Sequence, residues 1–258
     1  MYGIIISSGI LIGLLVGESL VKKNKLDLNL YWGSSLWTIV GGVVGARVFH
    51  VLEHWDLYVG NPITMLFIHN GGLRIYGGIL GGVLCMLLYF KLKKQKFIDY
   101  LDVSAVVIAL GQGIGRWGNF VNKEILGLPT NLPWGMYVPP SYRPTQFINN
   151  DIFHPIFLYE SLLDIMLFFT LLLLYRRKTV LQKSGEKQKP MYSLKGFFTL
   201  AYITGYGAIR FSIEFIRLET WTINGINVAQ VISLLFVFAG IVGLRLVSNS
   251  PTLGKAKH

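Results

Sequence analysis

Four polar residues with chemical capability stand in stretches that are otherwise apolar. Tyr206, Arg210 and Glu214 fall at i, i+4 and i+8, which places them on one face of a helix. A buried arginine needs a carboxylate or phosphate partner, and Glu214, one turn away, could supply it and leave the pair purely structural. Arg116 has no acid in helical register and closes the run Gly111-Gln-Gly-Ile-Gly-Arg-Trp-Gly-Asn119. Four glycines within eight residues loosen a helix end and open its backbone to an approaching ligand. A guanidinium fork matches phosphate oxygens two at a time. An anionic lipid headgroup is therefore the natural ligand for Arg116.

The elements that must position these residues are membrane spans. Of the 258 residues, 52% are hydrophobic and 14% charged, whereas a soluble domain carries about 25% charged residues. The apolar residues come in runs near the ~20 residues that a helix needs to cross the hydrocarbon layer. Seven runs qualify: 2–20, 30–52, 73–92, 100–118, 156–175, 197–215 and 226–247. The first has no basic leader and no small-residue cleavage site before Lys22, so it reads as a retained helix, not a signal peptide. The fold class expected is an all-α membrane protein of seven transmembrane helices, a single polytopic domain over 1–258.

Orientation follows from charge. If seven spans alternate, 17 of the 24 Lys and Arg residues lie on one side, in the segments after the first, third, fifth and seventh spans. Cytoplasmic loops collect these residues, so the N-terminus is expected outside and the C-terminus in the cytoplasm. The net charge of +11 is then a topology signal and not a nucleic-acid footprint. The Pro-rich loop 119–155 should fold irregularly over the outer face, and the basic loop 176–195 should be a mobile cytoplasmic segment. Glycines four apart, as at Gly41 and Gly45 or Gly77 and Gly81, suit close helix packing in lipid. Cys85, the lone cysteine, reads as a buried inert thiol.

This topology gives each membrane-depth charge a position. Arg47, Arg116, Arg210 and Glu214 fall towards outer span ends, as do Arg74, Tyr76, His154, Tyr159 and Glu160. Tyr2 opens the first span on the same side. Glu18, Asp99 and Asp102 fall near inner ends, where snorkelling accounts for them. Arg47 and Arg74 each read equally well as headgroup anchors. Residues alone thus point to an outward-opening, arginine-lined, tyrosine-rich cavity. It would suit a transferase, a lipid-binding site or a channel mouth.

The run from Gly111 through Arg116, Asn119, Asn122 and Glu124 to Gly127 resembles the prolipoprotein diacylglyceryl transferase family, whose hallmark is Gly-Arg-x-Gly-Asn-Phe-x-Asn-x-Glu. Tyr2-Gly3, Gly45-Ala46-Arg47, Gly71 to Gly78 with Arg74 and Tyr76, His154-Pro155 with Tyr159-Glu160, and Tyr206 to Phe215 resemble its other segments in order. The resemblance implies transfer of a diacylglyceryl group from phosphatidylglycerol to the lipobox cysteine of a preprolipoprotein in the bacterial inner membrane. A thioether forms, glycerol phosphate leaves, and the site opens to the outer leaflet. It implies no metal or soluble cofactor. By this resemblance, Arg210, Glu214 and Tyr76 are the catalytic candidates. Arg116, Asn119, Tyr206, Glu124 and Tyr2 are the candidates for binding phosphatidylglycerol. The thiol's proton could go to Glu214 or to a tyrosine.

Three departures from the family pattern stand out. Tyr76 occupies a position where many members carry histidine, so a histidine base cannot be transferred here. Lys123 replaces a commonly small residue, and the family's outer N-terminal arm is expected to be missing or mis-started. His50, His54 and His69 read as outer-surface residues without chemistry. The rival from another class is a non-enzymatic lipid or anion transporter with an arginine-lined outer vestibule. It requires polar inner span halves, and these read as almost uniformly apolar, as over 162–174. A metal-dependent phosphotransferase would need more clustered acids than Asp99 and Asp102.

Overall fold

The computed structural model describes residues 1–67, 71–184, 190–218 and 220–249. Seven helices dominate: α1 (Tyr2–Lys23), α2 (Leu28–Glu53), α3 (Ile75–Leu92), α4 (Ile98–Asn122), α5 (Ile156–Ser184), α6 (Phe197–Ile213) and α7 (Val228–Ser248). All but the 17-residue α6 are long and apolar enough to cross a membrane. Their sides carry exposed aliphatic and aromatic residues such as Leu11, Val44, Leu84 and Phe238, as expected where hydrocarbon is the solvent.

The chain forms two compact units. Residues 21–100 build one around the pair α2 and α3. There the glycine periodicity has a direct cause: a Cβ at Gly45 would collide with the carbonyl of Gly77, and one at Gly81 with that of Gly41. Only residues without a side chain let these backbones approach so closely. The second unit holds residues 1–20 and 101–258, with α5, α6 and α7 packed in sequence order.

The loop expected over 119–155 is irregular but has a core of its own. A short antiparallel pair, β1 (Met136–Tyr137) with β2 (Ile152–Phe153), buries Leu126, Val138 and Phe153 against Met136, Phe147 and Leu218. A second pair, β3 (Thr222–Ile223) and β4 (Ile226–Asn227), turns the chain from α6 into α7.

Two expectations are corrected. The basic segment after 175 is not a mobile loop over its first part, because α5 continues to Ser184. No helix breaker occurs before Gly185, and Lys178 is buried with its ammonium over the rings of Tyr175 and Phe198. Asp102 does not snorkel. It is fully buried and accepts hydrogen bonds from the Gly196 N–H (2.9 Å), the Thr199 N–H (3.0 Å) and the Thr199 hydroxyl (2.9 Å). It thus caps the start of α6, whose orphan N–H groups need an acceptor, and Lys178 Nζ lies 3.9 Å away.

Asp102→Ala should therefore cost about 3–5 kcal/mol, the usual penalty for removing one partner of a buried charged pair. Thermal unfolding in detergent would read the loss, and Asp102→Asn should cost less because it keeps an acceptor. An unchanged midpoint for the alanine variant would contradict a capping role.

Candidate active site

The centre of the second unit's polar cluster is Glu160, just past the first turn of α5 and only 1% exposed. Its two oxygens face different helices. Oε2 lies 2.9 Å from Nε of Arg116, on the last turns of α4. Oε1 accepts a 2.7 Å hydrogen bond from Nη1 of Arg210, near the end of α6. The other Nη of Arg210 lies 2.8 Å from Glu214 Oε2, one turn on. Glu214 also stands 4.0 Å from Nη1 of Arg217 and accepts a 3.4 Å hydrogen bond from Asn227 at the foot of α7. Charges thus alternate in space as Arg116, Glu160, Arg210, Glu214, Arg217. Each arginine side chain keeps 17–18% of its surface exposed, while both glutamates are buried.

The arrangement has a local structural cause. The terminal turns of α4 and α6 and the start of α5 bring three helix ends together. Residues 126–128 are stitched to both flanking segments by backbone hydrogen bonds, Leu128 N–H to Ile216 O (2.9 Å), Leu218 N–H to Leu126 O (3.0 Å) and His154 N–H to Leu128 O (3.0 Å). Arg217 lies on this seam, bridged to Gly127. Burial and the nearby Arg210 cation lower its guanidinium from the ordinary value.

Tyrosines flank the arginines. Tyr206 stacks on Tyr202 at 5.8 Å between ring centroids. The Tyr202 hydroxyl donates to Gln112 Oε1 at 2.8 Å. Tyr2 lies across Gly118, where a Cβ would meet the ring at 2.7 Å, so the glycine of the α4 motif makes room for that ring. Asn119, Asn122 and Glu124 form a clasp at the end of α4. Asn122 donates to Glu124 Oε1 at 3.0 Å and Asn119 to Oε2 at 3.5 Å, while the Glu124 N–H bonds Asn119 O at 3.0 Å.

Helical spacing groups correctly the residues that share a helix and misses those that meet across helices. Arg116 is not without an acid: Glu160 reaches it from α5. Arg210 is not only the i+4 partner of Glu214, because it holds Glu160 as well. Asp164 stands inside an apparently apolar run and draws no attention there. It is 1% exposed, and neither of its oxygens has a hydrogen-bond partner among the described residues. Its position one turn from Glu160 in α5 is the one signal that could have found it.

Arg47, Arg74 and Tyr76 belong to the other unit. Arg47 is not a headgroup anchor. It is 8% exposed and donates to the carbonyls of Thr64 (2.8 Å), Met65 (2.7 Å), Gly71 (2.9 Å) and Gly72 (3.2 Å), clamping the segment after α2. Arg74 pairs with Glu53 at 2.5 Å. Tyr76 is half-exposed in the first turn of α3. His69 lies outside the described residues.

Chemically, a row of alternating charges with buried glutamates offers fixed, partly exposed cations. Such cations stabilise oxyanions far better than they would in bulk solvent. The family model described as "Prolipoprotein diacylglyceryl transferase" matches residues 1–246. A phosphatidylglycerol–prolipoprotein diacylglyceryl transferase of Nostoc sp. is 37% identical over 243 residues, covering 94% of this chain and 83% of its own. Proteins of the same name from Synechococcus elongatus (34% over 244 residues; 94% and 81%) and Prochlorococcus marinus strain MIT 9301 (33% over 276 residues; 98% and 90%) are also similar.

Proposed function

Because the chain belongs to the prolipoprotein diacylglyceryl transferase family, we propose that this transferase moves the diacylglyceryl group of phosphatidylglycerol onto the lipobox cysteine of a preprolipoprotein. The cysteine sulfur attacks the glyceryl carbon and forms a thioether. The C–O bond to the phosphate breaks, and glycerol phosphate leaves with that electron pair. The observation that carries the reading is the row of Arg116, Glu160, Arg210 and Glu214.

Arg116 binds the phosphate of the incoming lipid, with Asn119 supporting it and Glu124 orienting the Asn119 amide. Tyr206 and Tyr2 shape the headgroup and glyceryl pocket. Arg210 neutralises the charge that grows on the departing phosphate. Glu214 is the candidate for receiving the thiol proton, and Tyr76, also in the catalytic set, positions lipid through its ring or hydroxyl. The multi-pass chain sits in the bacterial inner membrane with its N-terminus outside, its C-terminus in the cytoplasm and the site towards the outer leaflet, since 17 of its 24 Lys and Arg residues then face the cytoplasm.

The test incubates purified protein with phosphatidylglycerol and a lipobox peptide, and measures the thioether-linked product by mass. Product is expected from the native chain. Its absence, with a known transferase active in parallel, would sink the proposal. In the same assay Tyr76→Phe should cost less than Tyr76→Ala, because the ring contributes even where the hydroxyl does not.

A further inference from the structure

We propose that His50, Glu53 and His54 form a zinc site at the end of α2, independent of the transfer chemistry. From sequence these histidines read only as surface residues, but α2 carries His50 and Glu53 one turn apart in its last turn, and His54 follows directly as its C-cap. One ligand atom from each residue lies within 4.8 Å of the others. Two imidazoles and a carboxylate, with a fourth position open, form a donor set that suits zinc.

The surroundings orient the first ligand. Gly72, at φ +75°, lies against the Nε2 edge of His50, where an added Cβ would sit 2.5 Å from Nε2 and 2.6 Å from Arg47 Nη1. That edge is blocked. The other nitrogen, Nδ1, is buried and has no hydrogen-bond partner among the described residues, so coordination would satisfy a polar atom that the protein leaves unmet. The His54 ring stacks on His50 at 4.6 Å between centroids. Its Nδ1 lies 3.7 Å from Glu53 Oε2 and 3.3 Å from His50 O.

Two neighbouring arginines stand against a bound cation. Arg47 is committed to backbone carbonyls and cannot reach the ligands without releasing its loop. Arg74 is the real competitor. Its Nε holds Glu53 Oε2, and its Nη2 donates to His54 Nε2 at 3.3 Å. Nearly half of the Arg74 side chain is exposed, however, so it can swing into solvent. Zinc and the Arg74 guanidinium therefore compete for the same carboxylate and imidazole. The site is a cation exchange point: arginine holds the ligands when the metal is absent.

That competition leaves a signature that a merely structural cluster would lack. The full chain, purified in detergent and stripped with chelator, is titrated with Zn²⁺ against a chromophoric competitor. One ion per chain is expected. His54→Asn and Glu53→Gln should each weaken binding at least about tenfold, and the double variant His50→Asn/His54→Asn should abolish it. Arg74→Gln should tighten binding by about tenfold, the scale of one like charge removed from a partly exposed site. The proposal is overturned if native protein retains no more zinc than the double variant. It is also overturned if Arg74→Gln weakens binding. Should the double variant fail to fold, the opposite signs of Glu53→Gln and Arg74→Gln decide the question by themselves.

Discussion

Arg210→Ala should lower the turnover of diacylglyceryl transfer by about 100-fold while the protein still inserts and folds. The size is that of removing one preorganised group from a developing oxyanion. Folding should survive because neither glutamate is left alone. Glu160 keeps Arg116 at 2.9 Å, and Glu214 keeps Arg217 at 4.0 Å and Asn227 at 3.4 Å. Arg116→Ala should also lose most activity, but with a different kinetic split. A residue that grips phosphate equally in ground and transition states raises KM when removed, whereas loss of one that acts as the leaving group departs lowers kcat. Initial rates across phosphatidylglycerol concentrations in mixed micelles would separate the two. Near-normal turnover in Arg210→Ala would make it a structural bridge between two glutamates and nothing more.

Glu160→Ala should cause the largest loss of stability in the cluster, about 3–5 kcal/mol, because it strips buried guanidiniums of a shared counter-ion. Arg116 loses its 2.9 Å contact with the carboxylate, and Arg210 is left with Glu214 alone. Glu160→Gln should cost less, since its carbonyl can still accept from one arginine. Thermal unfolding in detergent measures the loss. If the arginines bind a lipid phosphate, added phosphatidylglycerol should restore more stability to the alanine variant than to the native chain, because the phosphate takes the place of the missing charge. Equal stabilisation of both proteins would argue that the lipid phosphate does not reach these arginines.

By itself the sequence determined the features that arise from local periodicity and composition. Seven helices stand close to where runs of apolar residues place them, and Tyr206, Arg210 and Glu214 share the α6 face or its immediate end because helical spacing requires it. The glycine-rich motif from Gly111 likewise marks the end of α4, where its asparagines and Glu124 clasp one another. Only the tertiary structure could decide which partners meet across helices, since helix rotation and axial offset are set by packing and leave no trace in spacing along the chain. Glu160 therefore looks like an ordinary acid near a span end and proves to join Arg116 to Arg210. Asp102 looks like a snorkelling residue and caps a helix, bonding Gly196 at 94 positions' distance. Arg47 looks like a membrane anchor and holds four carbonyls of its own loop. In a low-dielectric interior an unpaired charge is costly, so residues such as Glu160, Asp102 and Arg47 need partners. The sequence shows that the need exists, and only the packed helices show where it is met.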